Sequence, residues 1–383
     1  MLKPLLRKLT PAFANREPTA VKNALILVLA ILRARTTSLN KLKGEVGAIT
    51  GAHDTLPASH YKRLVRVFDA HADTDLHADL LAAVVALLRR RARHLVLDGT
   101  SWHTPDGPVH LLTLCILYRG VAVPILWTDL SKKGVSSFGE RRRLFALAFE
   151  RYDLSGMCLL ADREYIGREW FNYLAANGLD FRIRSRDFAY FPAVEAGGHL
   201  PDRLREVIAA VKRSRKPNKA RAFAFRLSPG GPELSFVIAR NPDPHAAERV
   251  MLLITTIAEP AYATVARYGK RWAIEHCFRQ LKSNGFDLER VNLATGPRRR
   301  LLIAAVALAY AIAVTEGLAT YRTLVPLKTP GPEGRVYRAV SVFRHGLDRL
   351  SEHKTDLLSF CRYLRRRLKH AISGNHSPFI LNV

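Results

Sequence analysis

The spacing of apolar positions changes along the chain. Through residues 1–93 they recur every three or four residues, which predicts helices over Pro18–Arg35, Ser38–Ile49, Ala58–Ala70 and Asp75–Arg91. From His94 the runs become short and continuous. "HLVLDGT" (His94–Thr100) reads as a buried strand ending in Asp-Gly. "VHLLTLCILYRG" and "VAVPILWTDL" read as two more, turned at "YRG" into a hairpin. "FGERRRLFALAFERYD" is an amphipathic helix, and "MCLLADREYIG" a fourth strand that ends in Asp162. "REWFNYLAANG" is a helix closed by Gly178, and "DFRIRSR" a fifth strand.

Residues 187–258 interrupt this order with Pro and Gly punctuation and short strands such as "ARAFAFRLS", "ELSFVIAR" and "RVMLLITTI", and read as a β-rich insertion. A helical period then returns in "YGKRWAIEHCFRQLK", Tyr268–Lys282. Wound at about 100° per residue, this stretch places Tyr268, Arg271, Glu275, Arg279 and Lys282 on one face. Ala273, Ile274, Cys277 and Leu281 fall on the other, apolar face. The polar stripe has two readings. It is a surface ladder of i,i+4 ion pairs, or it presents one carboxylate among cations for a purpose.

The order β-β-β-α-β-α-β, with Asp98 on the first strand and Asp162 ending the fourth, is that of a ribonuclease-H-like core. The expected class is therefore α/β: a ribonuclease-H-like mixed sheet interrupted by a β-rich insertion, with helical N-terminal and C-terminal regions. The expected division is a helical region over 1–93, the core in two parts over 94–186 and 259–322, the insertion over 187–258, and a helical region over 323–383.

The 383 residues carry a formal net charge of +27, spread along the whole length. Such a surface favours a polyanion, nucleic acid first. Charge alone names a partner and no reaction. Lys62, Arg63 and Arg66 on "SHYKRLVRVFDAH" suit a small helical DNA-binding region, with a basic packing domain as the alternative. The four cysteines are isolated, without zinc spacing, which fits a reduced cytosolic compartment. "ALILVLAIL" is too short to span a bilayer. "LLIAAVALAYAIAVTEGLA" (Leu301–Ala319) is closest to a span, but Glu316 interrupts it, and a core helix is the expected form. No membrane partner is expected.

Asp98, Asp162 and Glu275 stand out together. Two lie at the ends of strands that should be neighbours, and the third on a late helix. Three hard oxygen donors suit Mg²⁺, which takes few protein carboxylates. A pair of such ions suits phosphodiester chemistry. A single Asp at a strand end is usually a turn former, so the weight rests on the joint placement.

Tyr268-x2-Arg271-x3-Glu275-x6-Lys282 resembles the YREK signature of DDE transposases of the insertion-sequence-4 family. "LVLDGTSW" resembles that family's first-Asp strand, "LLADREYIG" its second-Asp segment with the following Arg163 and Glu164, and "SHYKRLVRVFD" its N-terminal helical region. The likeness runs in order from about residue 55 to about 315. It implies cutting and joining of transposon-end DNA with two Mg²⁺ or Mn²⁺ ions per site. Asp98, Asp162 and Glu275 would be catalytic metal ligands, and Tyr268, Arg271, Lys282, Arg163 and Arg279 DNA contacts. The implied partners are double-stranded inverted-repeat ends and target DNA, bound by a homodimer in the bacterial cytoplasm at the nucleoid. No covalent protein intermediate is implied. Two other classes stay open: a two-metal nuclease without strand transfer, and a silent DNA-binding descendant of a transposase. One feature departs from the family's hairpin-forming members, which stack a flipped base on an aromatic of the insertion. Trp102, Trp127, Trp170 and Trp272 all lie outside 187–258, leaving Phe188, Tyr190, Phe191 or Phe236.

Overall fold

Continuous apolar runs between residues 94 and 129 form an antiparallel meander of β1 (His94–Thr104), β2 (Gly107–Tyr118) and β3 (Val121–Asp129). Arg119 and Gly120 join β2 to β3 with φ of 50° and 87°. Two left-handed residues give the tight hairpin whose twist matches its strands, which is why glycine sits in it. The computed structural model describes residues 15–88, 92–104, 107–130, 132–186, 190–196, 204–214, 219–243, 246–291, 296–328, 338–353 and 356–372, with a few positions before 15. Phe188, residues 89–91 of the helix expected to end at Arg91, and the last residues of the chain lie outside these.

Two crossovers follow. α5 (Phe138–Arg151) leads to β4 (Cys158–Ala161), and α6 (Arg168–Ala176) to β5 (Asp180–Arg184). α5 opens with a reciprocal cap, Ser137 accepting from the Glu140 N–H while Glu140 accepts from the Ser137 N–H at 2.7 Å. β4 pairs parallel to β1, with Leu97 opposite Ala161, and β5 pairs parallel to β4. Helices cover the sheet, so β4 reads as an unbroken apolar run, whereas β5 alternates Phe181 and Ile183 with Asp180, Arg182 and Arg184.

Residues 187–258 hold helices as well as strands. α7 (Phe191–Ala196) and α8 (Leu204–Arg213) precede β6 (Ala220–Phe225), β7 (Leu234–Arg240) and β8 (Val250–Thr255). The strands do not form a sheet of their own. β8 pairs antiparallel with β5, giving one eight-stranded, mostly antiparallel sheet in the order β3-β2-β1-β4-β5-β8-β7-β6.

Helices flank the sheet at both ends of the chain: α1 (Pro18–Ala34), α2 (Leu39–Thr50), α3 (Pro57–His71) and α4 (Leu76–Leu87), then α11 (Gly296–Leu324), α12 (Val342–His353) and α13 (Leu357–Ile372). α11 is long and apolar enough to cross a membrane by length and composition, but most of its apolar stretch is buried, against α1, α4, α12 and β3. Every residue from Leu301 to Val314 is buried. Glu316 ends the apolar run and accepts from Tyr363 Oη at 2.7 Å and Arg367 Nη2 at 2.9 Å. Buried residues of the N-terminal helices, the sheet and the C-terminal helices share one continuous core.

α11 and α12 cross backbone to backbone. A Cβ on Gly317 would collide with the Val342 carbonyl, and one on Gly346 with the Ala313 carbonyl. Gly346→Ala is expected to cost about 2–3 kcal/mol, because one methyl group forces a packed helix pair apart. Chemical denaturation measures it, and a loss under about 0.5 kcal/mol would mean that the crossing is slack.

Candidate active site

β1 and β4 are parallel neighbours, and the residues one step past the Leu97–Ala161 pair are Asp98 and Asp162. Both carboxylates therefore stand where the parallel β1–β4 pairing ends. Asp162 lies just past β4, while Asp98, expected near a strand end, lies inside β1, which runs on to Thr104 paired with β2 alone. The C-terminal side of such parallel strands is where open α/β sheets bind ligands. Each is pinned by the backbone that follows it. Asp98 accepts from the Gly99 N–H at 2.9 Å, and Asp162 from the Arg163 N–H at 2.8 Å. The Asp98 carboxyl is pushed up to about 6. Burial is the main cause, Arg271 and the Gly99 N–H oppose it, and the neighbouring Glu164 and Asp162 add to it.

The stretch Tyr268–Lys282 is not one helix. α9 (Ala261–Tyr268) runs into a 3₁₀ turn over Gly269–Trp272, and α10 (Ala273–Lys282) begins after it. Glycine has little tendency to continue an α-helix, and the turn tightens there. Within α10 the amphipathic reading holds: Ile274, Cys277, Phe278 and Leu281 are buried, and the helix packs on β1 and β3.

The break redirects Tyr268 and Arg271. Tyr268 is 1% exposed and packs with Val237, Met251 and Val265. Arg271 is also buried. Its Nη1 lies 3.3 Å from Asp98 Oδ2 and its Nη2 2.8 Å from Glu275 Oε1. One guanidinium thus gathers the β1 carboxylate and the helix carboxylate. Burial opposes its charge, but Tyr268, Asp162, Asp98 and Glu275 together hold its proton more firmly than in a free arginine. The surface ion-pair ladder survives only as Arg271–Glu275.

The other sequence candidates lie around this centre. Lys282 Nζ donates to the Ser101 carbonyl at 2.6 Å and sits 5.7 Å from the Trp102 ring centre, so it is moored to β1, three residues past Asp98. Arg279 is exposed on α10. Arg163 donates to Glu248 at 2.8 Å, and Glu248 also pairs with Arg184. A cleft of about 560 Å³ is lined by Arg184, Glu248, Tyr268, Arg271 and Trp272 among others, and Arg271 joins it to Asp98 and Glu275. Trp272 is 53% exposed there. Sequence reasoning passed over Trp272, Glu164, Arg184 and Glu248 as site residues. The first two were visible as immediate neighbours of Arg271 and Arg163. The last two become relevant only through the fold of residues 187–258.

Among the described residues, no three His, Cys, Asp or Glu side chains stand close enough together to hold a metal ion. Mutual repulsion and the intervening guanidinium explain why the three carboxylates do not close up. The donor set still fits a divalent ion. Asp98 and Glu275 already converge on one cation, Asp162 acts on the same cation electrostatically, and all three offer hard oxygens. All four cysteines are buried free thiols, so softer ligands are not presented.

No curated protein matches the chain. Among solved structures, the cryo-EM structure of a piggyBac transposase synaptic complex with hairpin DNA is similar at 11% identity and a TM-score of 0.46, covering 98% of this chain and 82% of that one. A likeness so slight carries no argument. The family model of the transposase DDE domain matches residues 89–312, more than half of the chain, spanning both aspartates and the helix that bears Glu275. The chain therefore belongs to the transposase DDE domain family.

Proposed function

We propose that this protein is a DNA transposase of insertion-sequence-4 type, with a ribonuclease-H-like core, that cuts inverted-repeat ends and joins them to target DNA. The observation that carries the reading is the convergence of Asp98 and Glu275 on one cation beside Asp162, at the edge of two adjacent parallel strands. These three would hold two Mg²⁺ or Mn²⁺ ions. Bound there, such ions supply an activated water or 3′-hydroxyl and stabilise the leaving oxygen of a phosphodiester. The protein's own contribution is position. The backbone N–H groups after Asp98 and Asp162 fix those carboxylates, and the cations offered to the DNA backbone share their elements, Arg279 and Lys282 on α10 with Glu275 and Arg163 next to Asp162. Hydrolysis of the end phosphodiester leaves a 3′-hydroxyl. That oxygen then attacks a target phosphodiester, forming one P–O bond as another breaks.

Incubation of the protein with duplexes carrying the inverted repeats that border its reading frame tests the reading. Mg²⁺-dependent cutting at the repeat boundary, with a 3′-hydroxyl left behind, is expected. Retention of the duplex without any cutting would favour a silent DNA-binding protein.

Lys282→Ala is expected to weaken binding about equally across DNA sequences and to lower the slope of log affinity against log salt by up to about one, as one phosphate contact is lost. An unchanged slope would confine Lys282 to its tether on Ser101. Two transposon ends need two active sites in one complex, so at least two protomers are expected per pair of ends. The charge of +27 opposes self-association until DNA neutralises it. Native mass measurement with short end duplexes checks this, and a single protomer that completes joining of both ends would contradict it.

A further inference from the structure

Arg271 does more at this site than an exposed phosphate-binding arginine would. Its two terminal nitrogens are split between two carboxylates, Asp98 on β1, 173 residues before it in sequence, and Glu275 on α10, 4 residues after it. Its side chain is 7% exposed, while those of Asp98 and Glu275 are 20% and 40% exposed. One positive charge serves two contacting carboxylates, with Asp162 acting on it as well, so the cluster is under-compensated. The Arg271 Nε is buried without a partner. An arginine has five donor hydrogens in a rigid fork and binds phosphate readily, so this one has donor capacity the carboxylates do not use. The same residue lines the cleft of about 560 Å³ with Arg184 and Trp272, so a phosphate in that cleft lies on its path.

We propose that Arg271 is a resident counter-ion that a divalent metal displaces from Asp98 and Glu275, and that its released guanidinium passes to a DNA phosphate in the adjoining cleft. This rests on the three carboxylates being the metal site. The exchange makes metal and DNA reciprocal. A phosphate that draws Arg271 away frees the carboxylates for metal, and a metal on the carboxylates frees Arg271 for phosphate. The protein alone is then a poor metal binder, and both ligands together load the site.

Mn²⁺ binding, followed by electron paramagnetic resonance of the free ion, tests this without any reaction being run. Wild type is expected to bind Mn²⁺ about tenfold more tightly with a short DNA duplex than without, a coupling of ordinary size. Asp98→Asn with the same duplex supplies the correction for ions held by the DNA. Arg271→Ala is expected to bind Mn²⁺ about tenfold more tightly than wild type in the absence of DNA, and to gain little further from the duplex. Arg271→Lys, which keeps the charge, should stay near wild type. Asp98-dependent Mn²⁺ binding that is equally tight in wild type with and without duplex would overturn the exchange and leave the carboxylate site standing. So would an Arg271→Ala protein that keeps its fold and binds no more tightly than wild type. Absence of Asp98-dependent Mn²⁺ binding under every condition would overturn both the exchange and the metal site. If Arg271→Ala does not fold, the wild-type comparison with and without duplex decides alone.

Discussion

Asp98→Asn, Asp162→Asn and Glu275→Gln are each expected to lower end-DNA cleavage by about a thousandfold or more, with DNA binding largely kept. Each change removes one charge while keeping the side chain's shape. The aspartate pair is fixed by local backbone: Asp98 and Asp162 accept from the N–H groups of Gly99 and Arg163, which a side-chain amide oxygen can still do. Glu275 lies on a helix whose apolar face is buried against β1 and β3, so its loss leaves the frame standing. The basic residues around the site, Lys282, Arg279 and Arg163, are untouched in all three variants. The measurement is the rate of single-strand cutting on a labelled end duplex, beside retention of the same duplex in a gel. A variant that cuts at near the wild-type rate would remove its residue from the catalytic set. A variant that loses duplex retention in step with cutting would make that residue a binding group.

Glu259→Ala is expected to destabilise the fold by about 3–5 kcal/mol. Glu259 links the end of the sheet to the start of α9. Its Oε1 accepts from Arg182 Nε at 2.8 Å and from Thr264 Oγ1 at 3.0 Å, and Arg267 pairs with its other oxygen. Arg182 and Glu259 are 2% and 7% exposed, and the Arg182 guanidinium also donates to the Cys158 sulfur at 2.9 Å. Removing the carboxylate strands a buried cation, which costs far more than an intact buried pair contributes. Replacing both partners together with leucine should recover most of the loss. A single-variant cost under about 1 kcal/mol in chemical denaturation, the range of exposed ion pairs, would mean that water reaches Arg182. Because α9 leads directly into the turn that bears Arg271, the variant should also blunt cleavage at temperatures where it remains folded.

The parts of the fold that were legible in sequence are those whose cause is local. His94–Thr100 and Val109–Leu130 announce strands because both faces of these strands are covered and their apolar runs are continuous, and Arg119-Gly120 announces the hairpin through its left-handed residues. Asp98 and Asp162 were placed together by element order alone. What was not legible depended on distant contacts. The i,i+4 pattern of Tyr268–Lys282 continues straight through the 3₁₀ turn, since Tyr268, Arg271 and Glu275 keep helical spacing while the backbone tightens at Gly269. Tyr268 is drawn inward by Val237 and Met251 of the inserted strands, which its own neighbours do not foretell. Arg271 looked like a surface donor because Asp98, its second carboxylate, lies far away in sequence. The inserted strands looked like a unit of their own because the β5–β8 pairing that joins them to the sheet is non-local.

Strand transfer is the step that separates a transposase from a nuclease with the same carboxylates. The most direct measurement combines the purified protein, duplexes taken from the DNA on either side of its reading frame, Mg²⁺ and a supercoiled target plasmid. The expected result is covalent joining of the duplex 3′ ends to the plasmid, dependent on Mg²⁺ and absent with Asp98→Asn. Cutting of the duplex with no joined product, or joining that persists with Asp98→Asn, would contradict the proposed function.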